Sequence, residues 1–256
     1  MSGVYIGVDG TARKIKGGYI GVDGKARKIK KGYIGDENGV ARLCWSSEKK
    51  LSEYTVGSIV YLLESGKNVE YIVVHQGKPN SSAYDSSCDG TWLLRKDCYA
   101  ETSWYYENKN NYATSTLNTQ TLNTTFLNKF KTAVKSAIKT AAVPVGNSTL
   151  NQKIFLLSGN EVGWTKSNNS NLVSEGACLD YFNGCSVTDA KRIANYSNAA
   201  TKWWTRSRST LDSYNAFYIT DTGGMGIDGV STSNGIRPAL IMNSDTLFDS
   251  NNVIVT

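Results

Sequence analysis

The first fifty residues contain a repeat that restricts the fold of that region more than any other feature of the sequence. Three copies of a short motif follow one another, at residues 4–16, 18–30 and 32–43. Each copy has two β-prone runs around a residue pair that favours a tight turn. These pairs are Asp9-Gly10, Asp23-Gly24 and Asn38-Gly39. The repeat therefore predicts three short β-hairpins in series.

The repeat region also carries the net charge of the chain. Residues 1–50 hold 11 Lys or Arg and 5 Asp or Glu, whereas residues 51–256 hold 17 of each sign. An isolated hairpin is marginally stable, so the hairpins must stack on each other or on another subunit. One interpretation is a strip that grips nucleic acid or an anionic polymer, and the other is a stalk whose basic side chains protect strand edges. We favour a stalk or attachment region over residues 1–45, and nucleic acid is not an expected partner, because no recognised nucleic-acid module is present.

Residues 51–256 have the pattern of an α+β domain, with strands and few helices joined by loops rich in Gly, Ser, Asn and Asp. Short apolar runs predict strands. These lie at 53–64, 68–76, 90–95, 153–157, 203–204, 216–219 and 237–242, and residues 65–67 are predicted to join the first two strands as a hairpin.

Two helices are predicted in this part of the chain. Apolar residues at helical spacing indicate one long helix within 118–142, capped by Asn118 or Thr119 and ended by Pro144 with Gly146. A short helix is predicted over 186–195, because Ser186 and Asp189 form a variant of the capping box.

Few residues indicate catalysis, and no metal or cofactor is expected. There is no Walker loop, GxGxxG or GxSxG motif, and the single histidine, His75, follows a predicted strand, where a packed side chain is the commoner role. No two of the five cysteines form a CxxC pair. They are Cys44, Cys88, Cys98, Cys178 and Cys185. We expect reduced thiols, and the alternative is a disulfide between Cys88 and Cys98 or between Cys178 and Cys185.

The acidic residues of the second half have no catalytic pattern. Acid pairs that cleave sugars come from distant sequence positions, so Glu161, Glu175 and Asp180 stay open to that role, although a fold or surface role is expected. No calcium loop of the form Asp-x-Asp-x-Asp-Gly is present. There is no run of about 18 apolar residues, so no membrane span is expected. The first residues also lack the basic and apolar blocks of a signal peptide.

Residues 195–235 have an unusual composition. They are rich in Asn, Ser, Thr, Tyr, Asp and Gly, with Trp and Arg among them. Antibody-like contact surfaces combine rigid aromatic side chains with small polar groups in this way. Ordinary loops also contain many small polar residues, so composition alone leaves both interpretations open.

Several motifs together resemble a domain that is common in bacterial phages and prophages. WWTRS at 203–207 and GIRPAL at 235–240 are similar to the WWLRS and GVRPAL ending of that domain. TWLLRK at 91–96 and IFLLS at 154–158, followed by Glu161-Val162, also resemble it. Its members often begin with YIGVDGxARKIKK repeats. The resemblance implies a C-type-lectin-like (formylglycine-generating-enzyme-like) fold for residues 51–256, similar to the variable proteins of diversity-generating retroelements.

The resemblance also divides the C-terminal residues into a scaffold and a display surface. The implied scaffold is Trp203, Trp204, Arg206, Arg237 and Pro238, with Arg237 paired to a carboxylate or to backbone carbonyls. Residues 205–234 would form the display surface. Its implied ligand-binding residues are Thr205, Arg208, Thr210, Leu211, Asp212, Ser213, Tyr214, Asn215, Tyr218, Asp221 and Thr222. The residues for calcium-dependent sugar binding and for sulfatase activation are absent, so neither function is carried over.

The resulting expectation is a non-enzymatic receptor-binding protein of a phage or prophage tail, located in the virion or, before assembly, in the bacterial cytoplasm. Its expected partners are a host cell-surface protein or glycan and, through the repeats, other tail proteins. A homotrimer is one expected assembly, because three-fold symmetry is common on tail tips. The alternatives are a structural virion protein without receptor binding and a polysaccharide-cleaving enzyme.

Overall fold

The computed structural model describes residues 48–104 and 109–255, together with the backbone of six strands within residues 5–46. These strands are β1 (Tyr5–Val8), β2 (Thr11–Lys14), β3 (Gly18–Val22), β4 (Lys25–Ile29), β5 (Lys31–Gly35) and β6 (Ala41–Ser46). They pair in sequence as three antiparallel two-stranded sheets. The prediction of three hairpins is confirmed, and the turn pairs Asp9-Gly10, Asp23-Gly24 and Asn38-Gly39 lie outside the described residues.

The rest of the chain is mostly β-sheet with few helices, which is compatible with the predicted α+β class. In chain order its strands are β7 (Lys49–Lys50), β8 (Ile59–Glu64), β9 (Lys67–Gln76), β10 (Thr91–Arg95), β11 (Ala100–Thr102), β12 (Ala141–Val145), β13 (Ser148–Gln152), β14 (Ile154–Phe155), β15 (Ala194–Tyr196), β16 (Ala199–Thr201), β17 (Trp203–Arg208), β18 (Asn215–Ile219), β19 (Met225–Gly229), β20 (Asn234–Ile236), β21 (Ala239–Met242) and β22 (Leu247–Phe248). The helical segments are a π-helix (Leu117–Phe126), α1 (Thr132–Ala137) and 3-10 turns at Leu51–Glu53, Ser86–Cys88, Tyr112–Thr114, Leu127–Lys129, Asp180–Phe182 and Ala190–Arg192.

Two five-stranded sheets organise the domain. The first has the order β14-β21-β10-β9-β8, and the second has the order β11-β20-β17-β18-β19. Strands β8 and β9 form a hairpin whose turn residues, Ser65 and Gly66, both have positive φ, at 49° and 81°. This geometry suits the twist of a two-residue hairpin, so the predicted 65–67 connection is confirmed. Three ladders, β7 with β22, β12 with β13, and β15 with β16, complete the strand pairing.

Both faces of the central strands are buried, because consecutive side chains enter two different apolar clusters. Leu93 lies in one cluster, and its neighbours Trp92 and Leu94 lie in the other. The tryptophan pair of β17 divides in the same way, with Trp203 in the second cluster and Trp204 in the first. Continuous apolar runs are typical of strands covered on both faces, which explains why these segments do not alternate in polarity.

The predicted long helix over 118–142 is wrong. The π-helix ends at Phe126, and Phe130 and Lys131 are extended, with ψ of 140° and 159°. Its polar sequence weakens an α-helix, because Asn and Thr side chains hydrogen-bond to the backbone instead. Thr124 Oγ1 donates to Thr119 O at 2.9 Å, five residues back, and Asn123 Nδ2 donates to Ile154 O at 2.9 Å, outside the helix.

The residues predicted to cap and end that helix have other roles. Thr116 precedes the π-helix, so neither Asn118 nor Thr119 is its cap, and Pro144 lies inside strand β12. Most of the apolar positions are nevertheless buried as a helix face would be, including Phe126 and Val134. The spacing therefore identified core residues while the continuous helix was wrong.

The predicted helix over 186–195 is also wrong, since the structure has only the 3-10 turn Ala190–Arg192 followed by β15. Asp189 caps this turn by accepting from Lys191 N at 3.0 Å. Ser186 Oγ donates to Thr188 O and caps no helix. Arg192 is buried and donates to three backbone carbonyls, those of Val162, Ser186 and Gly223, so its side chain fixes the loop as irregular structure.

Several predicted strands are shorter than expected. The strand expected at 53–64 begins at Ile59, and the one expected at 153–157 spans only Ile154–Phe155. The last begins at Ala239 rather than 237, because Pro238 has no N–H to donate to a ladder.

Candidate ligand-binding site

The side chains expected to form the scaffold are all buried. Trp203 Nε1 donates to Arg192 O at 2.8 Å, and Trp204 Nε1 donates to Thr102 O at 3.0 Å. Trp203 also pairs with Gly235, so β17 and β20 bring the WWTRS and GIRPAL motifs side by side as parallel neighbours. The two motifs therefore form one structural unit.

Arg237 pairs with backbone carbonyls rather than with a carboxylate. Its Nε donates to Arg95 O at 2.9 Å, one Nη donates to Arg192 O at 3.3 Å, and its guanidinium lies 5.1 Å from the centre of the Trp203 ring. Burial without a carboxylate lowers the pKa of Arg237 to about 10. Pro238, which follows it, is also buried.

Arg206 forms a fully buried ion pair with Glu161. Two Nη atoms donate to the two carboxylate oxygens at 2.6 Å each, and the guanidinium also donates to Pro144 O and Leu156 O at 2.8 Å. Tyr84 OH donates to Glu161 Oε1 at 2.9 Å. Burial disfavours the charged form of Arg206, but the Glu161 carboxylate outweighs it and raises the pKa of Arg206 above its ordinary value. The pair ties β17 to the loop after β14.

Glu175 is a second buried acid beside this pair. Its oxygens accept from Gly146 N at 2.7 Å and Ser207 Oγ at 2.6 Å, which connects the β12–β13 turn to β17. Burial raises the pKa of Glu175 above its ordinary 4.5, although Arg206 opposes the shift. Sequence analysis assigned no distinct role to Glu161 and Glu175, because their side-chain partners Arg206 and Ser207 lie 45 and 32 positions away.

An open cleft lies against these buried residues. It has a volume of about 470 Å³ and is bounded by the segment after residue 109, the β12–β13 hairpin and the end of β17. Its lining residues are Asn110, Asn111, Tyr112, Ala113, Val145, Gly146, Asn147, Ser148, Thr149, Leu150, Glu175, Arg206 and Arg208. Of the predicted ligand-binding residues, only Arg208 lines it.

The loop at residues 209–214, here the recognition loop, is held by one buried asparagine. Asn110 Nδ2 lies within hydrogen-bond distance of three carbonyls, Ser209 O at 3.1 Å, Asp212 O at 2.9 Å and Asn215 O at 2.9 Å. Since an amide group has two hydrogens, the three acceptors share them. Asn110 N also donates to Ser213 O at 2.8 Å. Buried Asn110 thus fixes the backbone of the loop through both its side chain and its own backbone N–H.

Asp212, which belongs to the same loop, also fixes its backbone. Its Oδ1 accepts from Tyr214 N at 2.9 Å and Asn215 N at 2.8 Å, which is a side-chain turn of the kind that Asp commonly forms. Two apolar side chains project from this framework. Leu211 is 66% exposed and Tyr214 is 51% exposed.

The expectation that Thr205 lies on the display surface is wrong. Thr205 is fully buried, and its hydroxyl donates to Phe217 O at 2.8 Å on the neighbouring strand β18. Ser207 and Ser209 are buried as well. The segment 205–234 is therefore not one continuous surface, because β17 runs through the middle of its sheet until Arg208.

The other predicted ligand-binding residues lie in two groups at opposite ends of β18. Arg208, Thr210, Leu211, Ser213 and Tyr214 are exposed at one end, beside half-buried Asp212 and Asn215. Asp221 and Thr222 are exposed in the β18–β19 turn at the other end. The strand between them spans roughly 13 Å at 3.3 Å per residue.

Tyr218 lies on β18 between these two ends. It is half-buried, and its ring packs edge-on against Trp204, with centroids 6.2 Å apart.

Sequence reasoning missed Asn110 and the polar wall of the cleft. Asn110 stands in a polar stretch that resembles an ordinary loop, and its partners are about a hundred residues away. Asn147, Ser148 and Thr149 lie in a hairpin where a helix end was expected. No local pattern marks either group.

The described thiols form no disulfide, and the histidine lies beside an acidic residue. Cys88, Cys98, Cys178 and Cys185 are free, and burial raises the pKa of Cys88 to about 11 and of Cys98 to about 12. The Cys44 side chain lies outside the described residues. Buried His75 lies at the end of β9, with Nδ1 2.9 Å from Asp180 Oδ2.

Within residues 48–104 and 109–255, no group of three His, Cys, Asp or Glu side chains is placed to hold a metal ion. No helix of the described chain has the length and apolarity to cross a bilayer.

The fold and the site define a mostly-β domain in which a fixed loop stands beside an open polar cleft. The chain belongs to the family described as a domain of unknown function (DUF6273), whose model matches residues 89–244. The matched residues include the Arg206–Glu161 pair, the cleft and the recognition loop, whereas β8 and β9 precede them. No curated protein and no solved structure matches the chain.

Replacement of Arg206 tests the importance of the buried ion pair. Arg206→Met leaves the Glu161 carboxylate buried without its partner, which typically costs about 3–5 kcal/mol of unfolding free energy. Urea unfolding measures this loss. The double variant Arg206→Met/Glu161→Leu removes both charges and should be more stable than the single variant. A double variant no more stable than Arg206→Met would contradict the importance of the unpaired charge.

Glu175 should make stability depend on pH in a particular direction. Its pKa is raised in the folded state, so the folded chain keeps a proton that the unfolded chain has released. The unfolding free energy contributed by this group therefore falls as pH rises from about 4.5 through the folded-state pKa. Glu175→Gln imitates the protonated acid and lacks this dependence.

The measurement is the difference in unfolding free energy, wild type minus Glu175→Gln, across that pH range. It should decrease with rising pH. Asp221→Asn, at an exposed carboxylate, is the matched control. A difference that increases with pH would mean that the folded state favours ionised Glu175, against the assignment.

Proposed function

We propose that this protein is a non-enzymatic ligand-binding protein of a phage or prophage tail, and that the recognition loop contacts the host cell surface. The observation that carries the proposal is the exposure of Leu211 and Tyr214 on a fixed backbone. They are two of the four large apolar side chains exposed in the described residues, together with Val187 and Val255. Exposed apolar side chains on an otherwise satisfied loop are typical of a contact surface.

A fixed loop has a physical advantage in binding. Ordering a mobile loop and its side chains on association reduces affinity, so a loop that is already ordered loses less. The bonds from Asn110 and Asp212 provide that order in the unbound chain. Rigid aromatic anchors among small polar residues are also the composition of antibody contact surfaces.

The proposal includes a C-type-lectin-like fold for residues 51–256 and an attachment role for the hairpin repeats. The pairing of the WWTRS and GIRPAL strands supports the first part, since the resemblance rests on those two motifs. Three successive hairpins support the second part, because such units gain stability by stacking on neighbours or on other subunits. The proposed partners of the hairpins are therefore other tail proteins and, in a homotrimer, further copies of the same chain.

The polysaccharide-cleaving alternative has less support from the site. Glycosidases place two carboxyl groups on either side of the bond they cleave. The described lining of the cleft contains one acid, Glu175, and it is engaged by Gly146 and Ser207. The structural virion protein remains the alternative that the following experiment tests.

The full-length chain, fluorescently labelled, should bind to cells of a bacterial strain that the phage infects or that carries the prophage. Leu211→Ala/Tyr214→Ala should weaken this binding about a hundredfold, because aromatic and apolar anchors contribute about 2–4 kcal/mol at the best positions. The melting temperature should not fall, since both side chains are exposed.

Val187→Ala is the matched control, because Val187 is 68% exposed and lies outside the recognition loop. It should bind cells as the wild type does. Equal binding by the double variant would place the contact elsewhere. A wild-type chain that binds none of the strains would favour the structural virion protein.

A further inference from the structure

Among the described residues that line the cleft, one presents a charge to solvent. The charged residues that line the cleft are Glu175, Arg206 and Arg208. The Arg206 guanidinium is buried and engaged by Glu161 and two carbonyls. Glu175 is also buried, and its two oxygens are engaged by Gly146 N and Ser207 Oγ. The guanidinium of Arg208 is therefore the accessible charged group of the described lining.

Arg208 is free to bind a ligand. Its side chain is exposed at the end of β17 and makes no hydrogen bond or ion pair with residues 48–104 or 109–255. A guanidinium presents a planar set of donors that matches a carboxylate in two parallel hydrogen bonds. An unpaired guanidinium at the wall of a cleft is thus suited to an anionic group.

The rest of the accessible wall is formed by amides and hydroxyls. Asn111, Asn147, Ser148 and Thr149 are all exposed there. Amide side chains both donate and accept hydrogen bonds, as hydroxyl groups do. Sugar hydroxyls have the same dual character, and a volume of about 470 Å³ lies within the range of small-ligand sites.

We infer that the cleft binds an acidic sugar, with the sugar carboxylate on Arg208 and its hydroxyls on the amides and hydroxyls of the β12–β13 turn. This inference rests on the proposed function, since it names the chemistry of the host-surface ligand as an acidic glycan. Asn110 connects the two parts of the surface, because it lines the cleft and holds the recognition loop. In this arrangement the recognition loop contacts the parts of the host surface that lie next to the sugar.

An acidic peptide is the competing ligand, and the cleft favours the sugar. A glutamate side chain forms an ion pair with Arg208 but makes no hydrogen bonds to the neighbouring amide side chains, which stay hydrated. A pyranose ring carries several hydroxyls at fixed spacing and engages Asn147 and Ser148 together with Arg208. The sugar therefore gains hydrogen bonds in the cleft that the glutamate side chain does not make.

The test is an NMR titration of the 15N-labelled full-length chain with D-glucuronate and, separately, D-glucose. These sugars differ only in the carboxylate at C6. D-glucuronate should shift the amides of Gly146, Asn147 and Ser148 and bind at least about tenfold more tightly than D-glucose, which corresponds to one charge-assisted contact. Arg208→Gln should remove this preference for D-glucuronate.

Lys166→Gln is the control for net charge, because Lys166 is an exposed cation away from the cleft lining. It should retain the preference. Equal shifts from both sugars, or a preference that persists in Arg208→Gln, would overturn the inference. Tri-glutamate that shifts the same amides more strongly than D-glucuronate would overturn it in favour of a peptide ligand.

The experiments can reject either proposal without rejecting the other. Cell binding that is lost in Leu211→Ala/Tyr214→Ala but is unaffected by excess D-glucuronate would retain the proposed function and reject the acidic sugar. Binding of D-glucuronate by a chain that attaches to no cells would retain the sugar site and reject the host-surface role.

Discussion

The buried pair of Arg206 and Glu161 is the interaction on which the rest of the site depends. Its guanidinium reaches the carbonyls of Pro144 and Leu156 as well as the carboxylate, so a single side chain connects β12, the segment after β14 and β17. The pair is fully buried, and its charges are stabilised by each other, by these hydrogen bonds and by the bonds that Glu161 accepts from Tyr84 OH and Ser158 N. Because the pair positions β17, it also positions the floor of the cleft and the start of the recognition loop.

The second constraint is the burial of both faces of the sheets. Strand β17 enters the core as a tryptophan pair and leaves it at Arg208, so its polar residues up to Ser207 must find partners inside the protein. Thr205 and Ser207 do so through Phe217 O and Glu175. Polar sequence in this strand therefore indicates internal hydrogen bonds, and solvent exposure begins where the sheet ends.

The sequence predicted the parts of the fold that depend on near neighbours. The three hairpins and the β8–β9 hairpin follow from turn residues a few positions apart, and β10 from a continuous apolar run. The helix over 118–142 failed because the backbone becomes extended at Phe130 and Lys131, a change that the spacing of apolar residues does not reveal. The candidate site could be predicted only in part, because some of its contacts join residues far apart in the sequence. Its exposed loop has a distinctive composition, whereas Asn110 acts on carbonyls about a hundred residues away.

The way in which Asn110 holds the recognition loop has a consequence for how this surface can evolve. Its side-chain and backbone bonds reach main-chain carbonyls, which every amino acid possesses. The identities of residues 211, 213 and 214 therefore do not determine the course of the backbone there. Thr210 and Asp212 are the exceptions, because the Thr210 hydroxyl donates to Asn171 O and the Asp212 carboxylate forms the turn. The outward side chains can therefore change while the loop backbone stays the same, so a change in the chemistry of this surface does not require a change of fold.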